Sequence, residues 1–322
     1  MDKIWRFFLG TARWCGRLCL VVLMGLSLTG LSGSQSYWPD IISNFKIPLA
    51  IGLAALAGVQ LLLFDWIGVA LAMVFVGLNL APMLPFYNGA GDGQPKSATV
   101  KILSLNLWGK HNDDFERTFS LIRSRKPDIV CFNEITPAWT KEAKSRLQDY
   151  PVRLIDSWSG GNAVFSKLPL RAMRDKTHIQ RFNIRAEVNL GAQKLALFAC
   201  HPPSPFPRKK RFQQRNDEFG YLAEDLSKTK QPAVVIGDLN CTPWSPYFSE
   251  LIVRSGLRDS AVGKGIQPSW TTHLQVPPLL PIDHCLVSQN ISVIKREIGP
   301  NVGSDHLPVY VELGIPTTTE TN

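Results

Sequence analysis

Three long runs without a charged residue open the chain, at residues 19–33, 47–64 and 66–86, and from residue 99 the pattern changes to short β-branched runs. Each opening run is near the length needed to cross roughly 30 Å of hydrocarbon, so the spacing predicts about three spanning helices within a membrane anchor over residues 1–86. A cleaved leader followed by a buried helical hairpin is the competing reading, and the two further apolar stretches argue against it. Residues 87–98 are Gly-rich and polar at their start and predict a connector.

Beyond the connector, residues 100–108, 128–134, 162–166, 184–190, 194–201, 233–240, 283–288, 291–298 and 307–313 read as strands. Helices are expected over 113–125 and 137–148, and less distinctly over 209–226 and 245–254. In the first, Phe115, Phe119 and Ile122 share one face, with Asn112 or Asp113 available as the cap. Many strands and few helices suggest two packed sheets flanked by helices, an α+β arrangement.

Charge separates the two parts further. Residues 1–94 hold five Lys or Arg against four Asp, so the remainder carries thirty basic and twenty-two acidic residues and almost all of the net charge of +9. A basic domain attracts phosphate groups or polyanions without choosing among nucleic acid, anionic lipid and small phosphorylated molecules. Lys3, Arg6, Arg13 and Arg17 precede the first run, which keeps the N-terminus cytoplasmic; an odd number of spans then places the later domain outside. Merging two spans would reverse that. Six cysteines occur without a C-x-x-C pair, so neither a disulfide framework nor a zinc site is expected.

Polar residues close several of the apolar strands. Asp238 and Asn240 follow a fully apolar run and emerge on one side of the strand end, where they can orient a water and hold a phosphate oxygen. Taken alone, the pair also fits an ordinary turn. Asp305 and His306 precede another strand, the carboxylate suited to a metal and the imidazole to phosphate. Asp283 can hold His306 in one tautomer, whereas His284 points the other way and reads as structural. Asn106 and Glu134 end two further strands, and Glu134 is the natural principal ligand for Mg²⁺, with Mn²⁺ a possible substitute. His201 closes a strand and opens a Pro-rich loop that can hold it over a cleft. His111, His178 and His273 read as inert. Arg208, Lys209, Lys210 and Arg211 form the densest basic run, either a solvated helix start or a contact for anionic groups.

In this order and setting, Asn106, Glu134, His201, Asp238-x-Asn240, Asp283 and Asp305-His306 resemble the endonuclease/exonuclease/phosphatase superfamily over residues 99–314. That superfamily includes deoxyribonucleases, abasic-site endonucleases, inositol-polyphosphate phosphatases and neutral sphingomyelinases. The resemblance implies a four-layer αββα sandwich and Mg²⁺-dependent cleavage of a phosphoester; residues 315–322, beyond its reach, are expected to form a flexible tail. It makes Glu134 the principal metal ligand with Asn106 and Asp305 nearby, and Asp238 and Asn240 the pair that positions the nucleophile. His306, oriented by Asp283, would contact phosphate, with His201 as the second histidine. Ser269-Trp270 looks like the family's small-residue-Trp element, with the tryptophan as packing support. Asn133 stands where the family often has Gln, and Pro281 where it often has a basic residue.

A membrane anchor ahead of such a domain is similar to a bacterial subgroup that includes YafD-like and VanJ-like proteins. The resemblance there implies an integral protein of the bacterial inner membrane with an extracytoplasmic domain acting on a phosphorylated, lipid-linked substrate. A membrane-tethered nuclease of the same chemistry and a non-catalytic membrane scaffold stay open as alternatives. No obligate protein partner is evident.

Overall fold

The computed structural model describes residues 2–89, 98–156, 161–173, 183–271 and 279–316. His178 and His273, most of the connector and residues 317–322 of the tail lie outside them. The chain divides into two compact units, one holding Met1–Pro85 with Trp244–Tyr247, the other Phe86–Pro243 and Phe248–Asn322.

The first unit is helical: α1 (Asp2–Leu31), α2 (Tyr37–Ser43), α3 (Lys46–Leu62) and α4 (Trp66–Leu80), the last continuing as a 3₁₀ turn over Ala81–Phe86. Lys3–Leu31 and Trp66–Phe86 are each long and apolar enough to cross a membrane, with mean hydropathy 1.7 and 2.1. The run expected to form the middle span is the 17-residue α3, bent by 67° from α2, so the pair counts as one span only if both are taken together. The first apolar run sits inside a helix that starts well ahead of it, at Asp2. Leu20, Leu53, Ala57, Ala72 and Phe75 form the small core of this unit. Trp14, Val21 and Leu62 point outward at 73, 64 and 78% exposure, a distribution that suits hydrocarbon better than water. Inside, Asn79 donates to Ser27 Oγ at 2.9 Å, while the exposed Arg17 donates to both oxygens of the buried Asp65 at 2.8 Å.

The second unit is built on two six-stranded mixed sheets flanked by helices, as the strand pattern predicts. Its strands are β1 (Ala98–Asn106), β2 (Ile129–Asn133), β3 (Val152–Asp156), β4 (Asn162–Ser166), β5 (Leu170–Ala172), β6 (Asn183–Asn189), β7 (Lys194–Cys200), β8 (Ala233–Asp238), β9 (Leu257–Asp259), β10 (Asp283–Ser288), β11 (Ser292–Ile298) and β12 (Val309–Ile315). One sheet runs β11-β12-β1-β2-β4-β3, the other β5-β6-β7-β8-β10-β9. Each sheet has one parallel pair at its centre, β1 with β2 and β7 with β8, and antiparallel strands outside it.

Alternation along the strands explains the layers. Val100, Ile102, Ile129, Cys131, Val164, Val311 and Leu313 of one sheet meet Leu195, Leu197, Ala199, Val234, Ile236, Cys285 and Val287 of the other in the central core. The opposite parity, with Leu103, Leu105, Val130, Phe132 and Phe165, packs on Phe119 and Ile122 of α5 (Phe115–Arg125) and Trp139 and Ala143 of α6 (Pro137–Arg146). Asp114, rather than Asn112 or Asp113, caps α5 by accepting from the Arg117 N–H at 3.1 Å. Asn112 instead accepts the Asp114 N–H at 2.9 Å, so the two side chains divide the turn and the cap between them. Beside the other sheet, α7 (Lys209–Lys228) buries Phe212, Phe219, Leu222 and Leu226, and α8 (Pro246–Ser255) buries Phe248 and Leu251.

Below those helices lies His284, buried, with Nε2 2.9 Å from the Cys241 carbonyl and Nδ1 3.4 Å from Asp259. Burial alone would raise the Asp259 carboxyl, but His284 and Arg296 outweigh it and hold it below the usual range. The folded value being depressed, this group contributes stability above its ordinary pKa and loses it as pH falls through the folded one. Asp259→Asn is therefore expected to flatten the acid limb of a thermal-stability profile; an unchanged limb would show that the pair carries no such linkage.

Candidate active site

The parity that builds the central core continues past its apolar end into polar residues. Val100, Ile102 and Ser104 lead to Asn106; Ile129 and Cys131 to Asn133; Leu197 and Ala199 to His201; Val234 and Ile236 to Asp238; Val287 and Cys285 back to Asp283. Parallel strands end together, and their antiparallel neighbours begin at that same edge. Asp238 accordingly lies opposite Asp283 in the β8–β10 register. Topology therefore gathers residues from far-apart segments at one rim.

The rim is joined by hydrogen bonds. Asn106 Nδ2 donates to Glu134 Oε1 at 3.2 Å and to Asp238 Oδ2 at 3.0 Å, while its Oδ1 accepts the Trp108 N–H at 3.0 Å, which fixes the amide's orientation. His201 Nε2 stands 3.6 Å from both Glu134 Oε1 and Asp238 Oδ2. His306 Nδ1 lies 2.8 Å from Asp283 Oδ2, and its Nε2 faces Asp238 Oδ2 at 3.6 Å. Asp238 also accepts the Asn240 N–H at 2.8 Å and the Asn240 amide at 3.2 Å. The same amide donates to the Pro202 carbonyl at 3.0 Å, tying the turn to the loop after His201.

Several of these residues sit in left-handed backbone: Trp108 at φ 61°, Glu134 at φ 55° and Asn240 at φ 52°. Each such position costs about 1–3 kcal/mol for a residue with a side chain, and persists because the surrounding bonds over-determine it.

Electrostatics follow from burial. Desolvation pushes the Asp238 carboxyl above its usual range, although His306 opposes the shift. Burial by itself would lower the His306 imidazole, but the carboxylates of Asp283, Asp238 and Asp305 outweigh it and raise the ring. Asp283 moves down: burial opposes this, and His306 with the Ser269 hydroxyl prevails. Asp305 is raised, first by burial and in part by the Glu134 carboxylate.

The residues present fit a hard divalent cation. Asp305 Oδ1 is buried with no hydrogen-bond partner, and the partly exposed Glu134 has only one oxygen engaged by Asn106. Carboxylate oxygens of this kind are what Mg²⁺ or Mn²⁺ takes. Asp238, Asp283 and His306 also cluster, with donor atoms within 4.8 Å of one another. In that group Asp283 Oδ2 is already taken by His306 Nδ1 and by the Ser269 hydroxyl at 2.6 Å, which makes it a histidine–carboxylate pair rather than an open cation cage.

Ser304 and Arg215, which the sequence pattern did not single out, help to hold this rim, and Trp270 exceeds the packing role expected of it. Trp270 does more than pack, since its indole N–H donates to Asp305 Oδ2 at 3.0 Å. Ser304 donates to the Asn106 carbonyl at 2.7 Å and accepts the His306 N–H at 3.1 Å. Arg208, Lys209, Lys210 and Arg211 are exposed around the start of α7 rather than within the buried rim. The cation of this helix that reaches the rim is Arg215. It is fully buried, its guanidinium lies over Phe212 and Phe219 at 5.4 and 5.7 Å, and it donates to the Asn240 carbonyl at 3.2 Å. An arginine three residues after one core phenylalanine and four before the next was the available signal.

Comparison with known proteins gives the fold a context. Among solved structures, D. rerio TDP2 complexed with a single-strand DNA product matches at 18% identity over 67% of this chain and 99% of its own, with TM-score 0.55. An AP endonuclease from Archaeoglobus fulgidus matches at 17% identity, 66% and 98% coverage and TM-score 0.55. The human Nocturnin catalytic domain with a bound sulfate anion matches at 17% identity, 70% and 96% coverage and TM-score 0.53. No curated protein matches the chain. The model of the Endonuclease/Exonuclease/phosphatase family matches residues 103–306, more than half of the 322 residues. The chain therefore belongs to the endonuclease/exonuclease/phosphatase family, hydrolases that act on phosphoester bonds.

Proposed function

We propose that this protein is a membrane-anchored, Mg²⁺-dependent phosphoesterase acting on a phosphorylated, lipid-linked substrate. The observation that carries the reading is the Asn106 amide, which bridges Glu134 and Asp238 while His306 faces the same Asp238 oxygen. A site for the cation and a site for the attacking water are then one amide apart.

In this reading Glu134 is the principal ligand for Mg²⁺, with Asn106 and Asp305 beside it. The bound cation would supply charge neutralisation at a phosphate oxygen. Asp238 takes a proton from the attacking water, a task suited to a carboxyl that burial has made more basic, and Asn240 fixes the water's position. His306, held by Asp283, donates from Nε2 to a phosphoryl oxygen, and His201 donates from the other side.

The anchor favours a substrate at a membrane surface. We assign residues 1–86 to the anchor, 87–97 to the connector, 98–315 to the catalytic domain and 316–322 to the tail, one residue wider at each end of the domain than the sequence pattern predicts because Ala98 of β1 pairs with Ile315 of β12. Four basic residues before the first span and three crossings would place the domain outside a bacterial inner membrane, as in the YafD-like and VanJ-like subgroup. A nuclease is the second reading, supported by the basic domain and by two fold neighbours, one complexed with single-strand DNA product and one an AP endonuclease.

The test uses the full chain in detergent with a polyprenyl diphosphate, a phosphorylated sugar and plasmid DNA. Mg²⁺-dependent phosphate release from the first, abolished by EDTA, is expected; cleavage of DNA alone would select the nuclease, and no turnover on any would leave the scaffold. Glu134→Gln is expected to raise the Mg²⁺ concentration giving half-maximal rate by roughly tenfold or more, because a neutral amide binds the cation less well. An unchanged Mg²⁺ requirement would remove Glu134 from that role.

A further inference from the structure

Asn133 is buried at 1% exposure between the two sheets and uses its whole amide. Its Nδ2 donates to Asn162 Oδ1 at 2.8 Å and to the Cys200 carbonyl at 3.2 Å, and its Oδ1 accepts the Asp238 N–H at 3.1 Å. A carbonyl can only accept and a peptide N–H can only donate, so these contacts allow one orientation of the amide.

The partners are informative by their neighbours. Asn133 ends β2 and precedes Glu134. Cys200 ends β7 and precedes His201. Asp238 ends β8, in the sheet opposite to β2. Since no backbone ladder joins β2 to β8, this side chain supplies a link between the strand end that carries Glu134 and the one that carries Asp238.

The backbone is shaped for it. Gly237 has φ 137°, and a Cβ there would lie 2.1 Å from the Cys200 carbonyl oxygen and 3.1 Å from Asn133 Oδ1. A side chain at that position would hold the strand away from Cys200 and from the amide, so the glycine admits the close approach that presents the Asp238 N–H.

We propose that Asn133 is a positioning residue for the reaction, setting the separation and aim of Asp238 relative to Glu134 by gripping three strand ends at once. The proposal rests on the roles given to Glu134 and Asp238 above. A rigid amide on the floor fixes the distance between two groups that do not otherwise share an element, and a misplacement of about 1 Å at such a site costs on the order of 10²-fold in rate.

The test compares full-length wild type with Asn133→Leu, which keeps the branched shape and removes all three hydrogen bonds, and with Asn162→Ala, which removes one of the amide's three partners. The readouts are kcat and KM on bis(p-nitrophenyl) phosphate with Mg²⁺, thermal unfolding, and hydrogen exchange of the peptide containing Asp238. For Asn133→Leu, kcat is expected to fall roughly 10²-fold with KM within about threefold of wild type. Exchange should quicken around residues 237–240 while the interiors of β2 and β8 stay protected. Asn162→Ala should move both readouts the same way by less, and it decides the matter if Asn133→Leu does not fold. A folded variant with wild-type kcat, or protection lost evenly through both sheets, would overturn the proposal and leave Asn133 a packing residue. Wild type inert toward every phosphoester would instead sink the proposed function, and exchange at Asp238 would still report whether the amide holds that turn.

Discussion

His306→Ala is expected to lower kcat on a phosphodiester by roughly 10³-fold while the protein still melts cooperatively. The imidazole is buried and fixed from both sides, by Asp283 at 2.8 Å on Nδ1 and opposite Asp238 at 3.6 Å on Nε2. Removing it deletes the proposed donor to the phosphoryl group and the cation that moderates three carboxyl groups, the buried Asp238 and Asp283 and the half-buried Asp305. Asp283→Asn separates these effects, because the amide keeps the shape but no longer stabilises a charged ring. Its kcat should fall less, with the pH–rate profile displaced. Steady-state rates on bis(p-nitrophenyl) phosphate with a parallel thermal melt make the check, and a well-folded His306→Ala of near wild-type rate would take His306 out of the reaction.

Gly237→Ala is expected to be the most damaging Gly→Ala change among the described glycines of the second unit. The added Cβ would overlap the Cys200 carbonyl oxygen at 2.1 Å, backbone against backbone, with the Asn133 amide also within 3.1 Å. Neither strand end gives way freely, because Cys200 is paired with Asn183 of β6 and Gly237 with His284 of β10. The loss should reach about 3 kcal/mol or more, combining overpacking with a positive φ unsuited to a side chain. Gly191→Ala is the control: it shares a positive φ, 85°, but nothing lies within 4 Å of its Cβ, so only the conformational cost of about 1–2 kcal/mol applies. Denaturant melts of the two variants should differ clearly, and equal losses would show that the close approach at Gly237 relaxes freely.

Much of the fold was legible because period-2 alternation of buried runs states both the strand and its face. Asn106, Glu134, Asp238 and Asp283 could be singled out for the same reason, as polar residues at or beside the ends of apolar strands. Three short strands escaped: Val152–Asp156 carries Arg153 and Asp156 in a half-exposed run, and Leu170–Ala172 and Leu257–Asp259 have three residues each. So short a segment has no period to read, and its pairing is decided by the neighbour it meets. The helix cap moved to Asp114 because three consecutive residues can cap and only the tertiary contact of Asn112 with the Val302 carbonyl chooses among them. Asn133 and Arg215 belong to a third kind. Their partners lie on other elements far along the chain, so sequence spacing marks Asn133 only as a departure from a motif and Arg215 only as a charge on an apolar face.

Almost every candidate group hangs from strand ends, or within a residue or two of them, at a single margin of the two sheets. Loops leaving that margin can therefore lengthen, shorten or be exchanged without moving the reactive atoms. Such a division lets inheritance retarget the chemistry by redrawing its surroundings, consistent with a shared scaffold at 17–18% identity beneath an AP endonuclease, a TDP2 complexed with a DNA product and the Nocturnin catalytic domain.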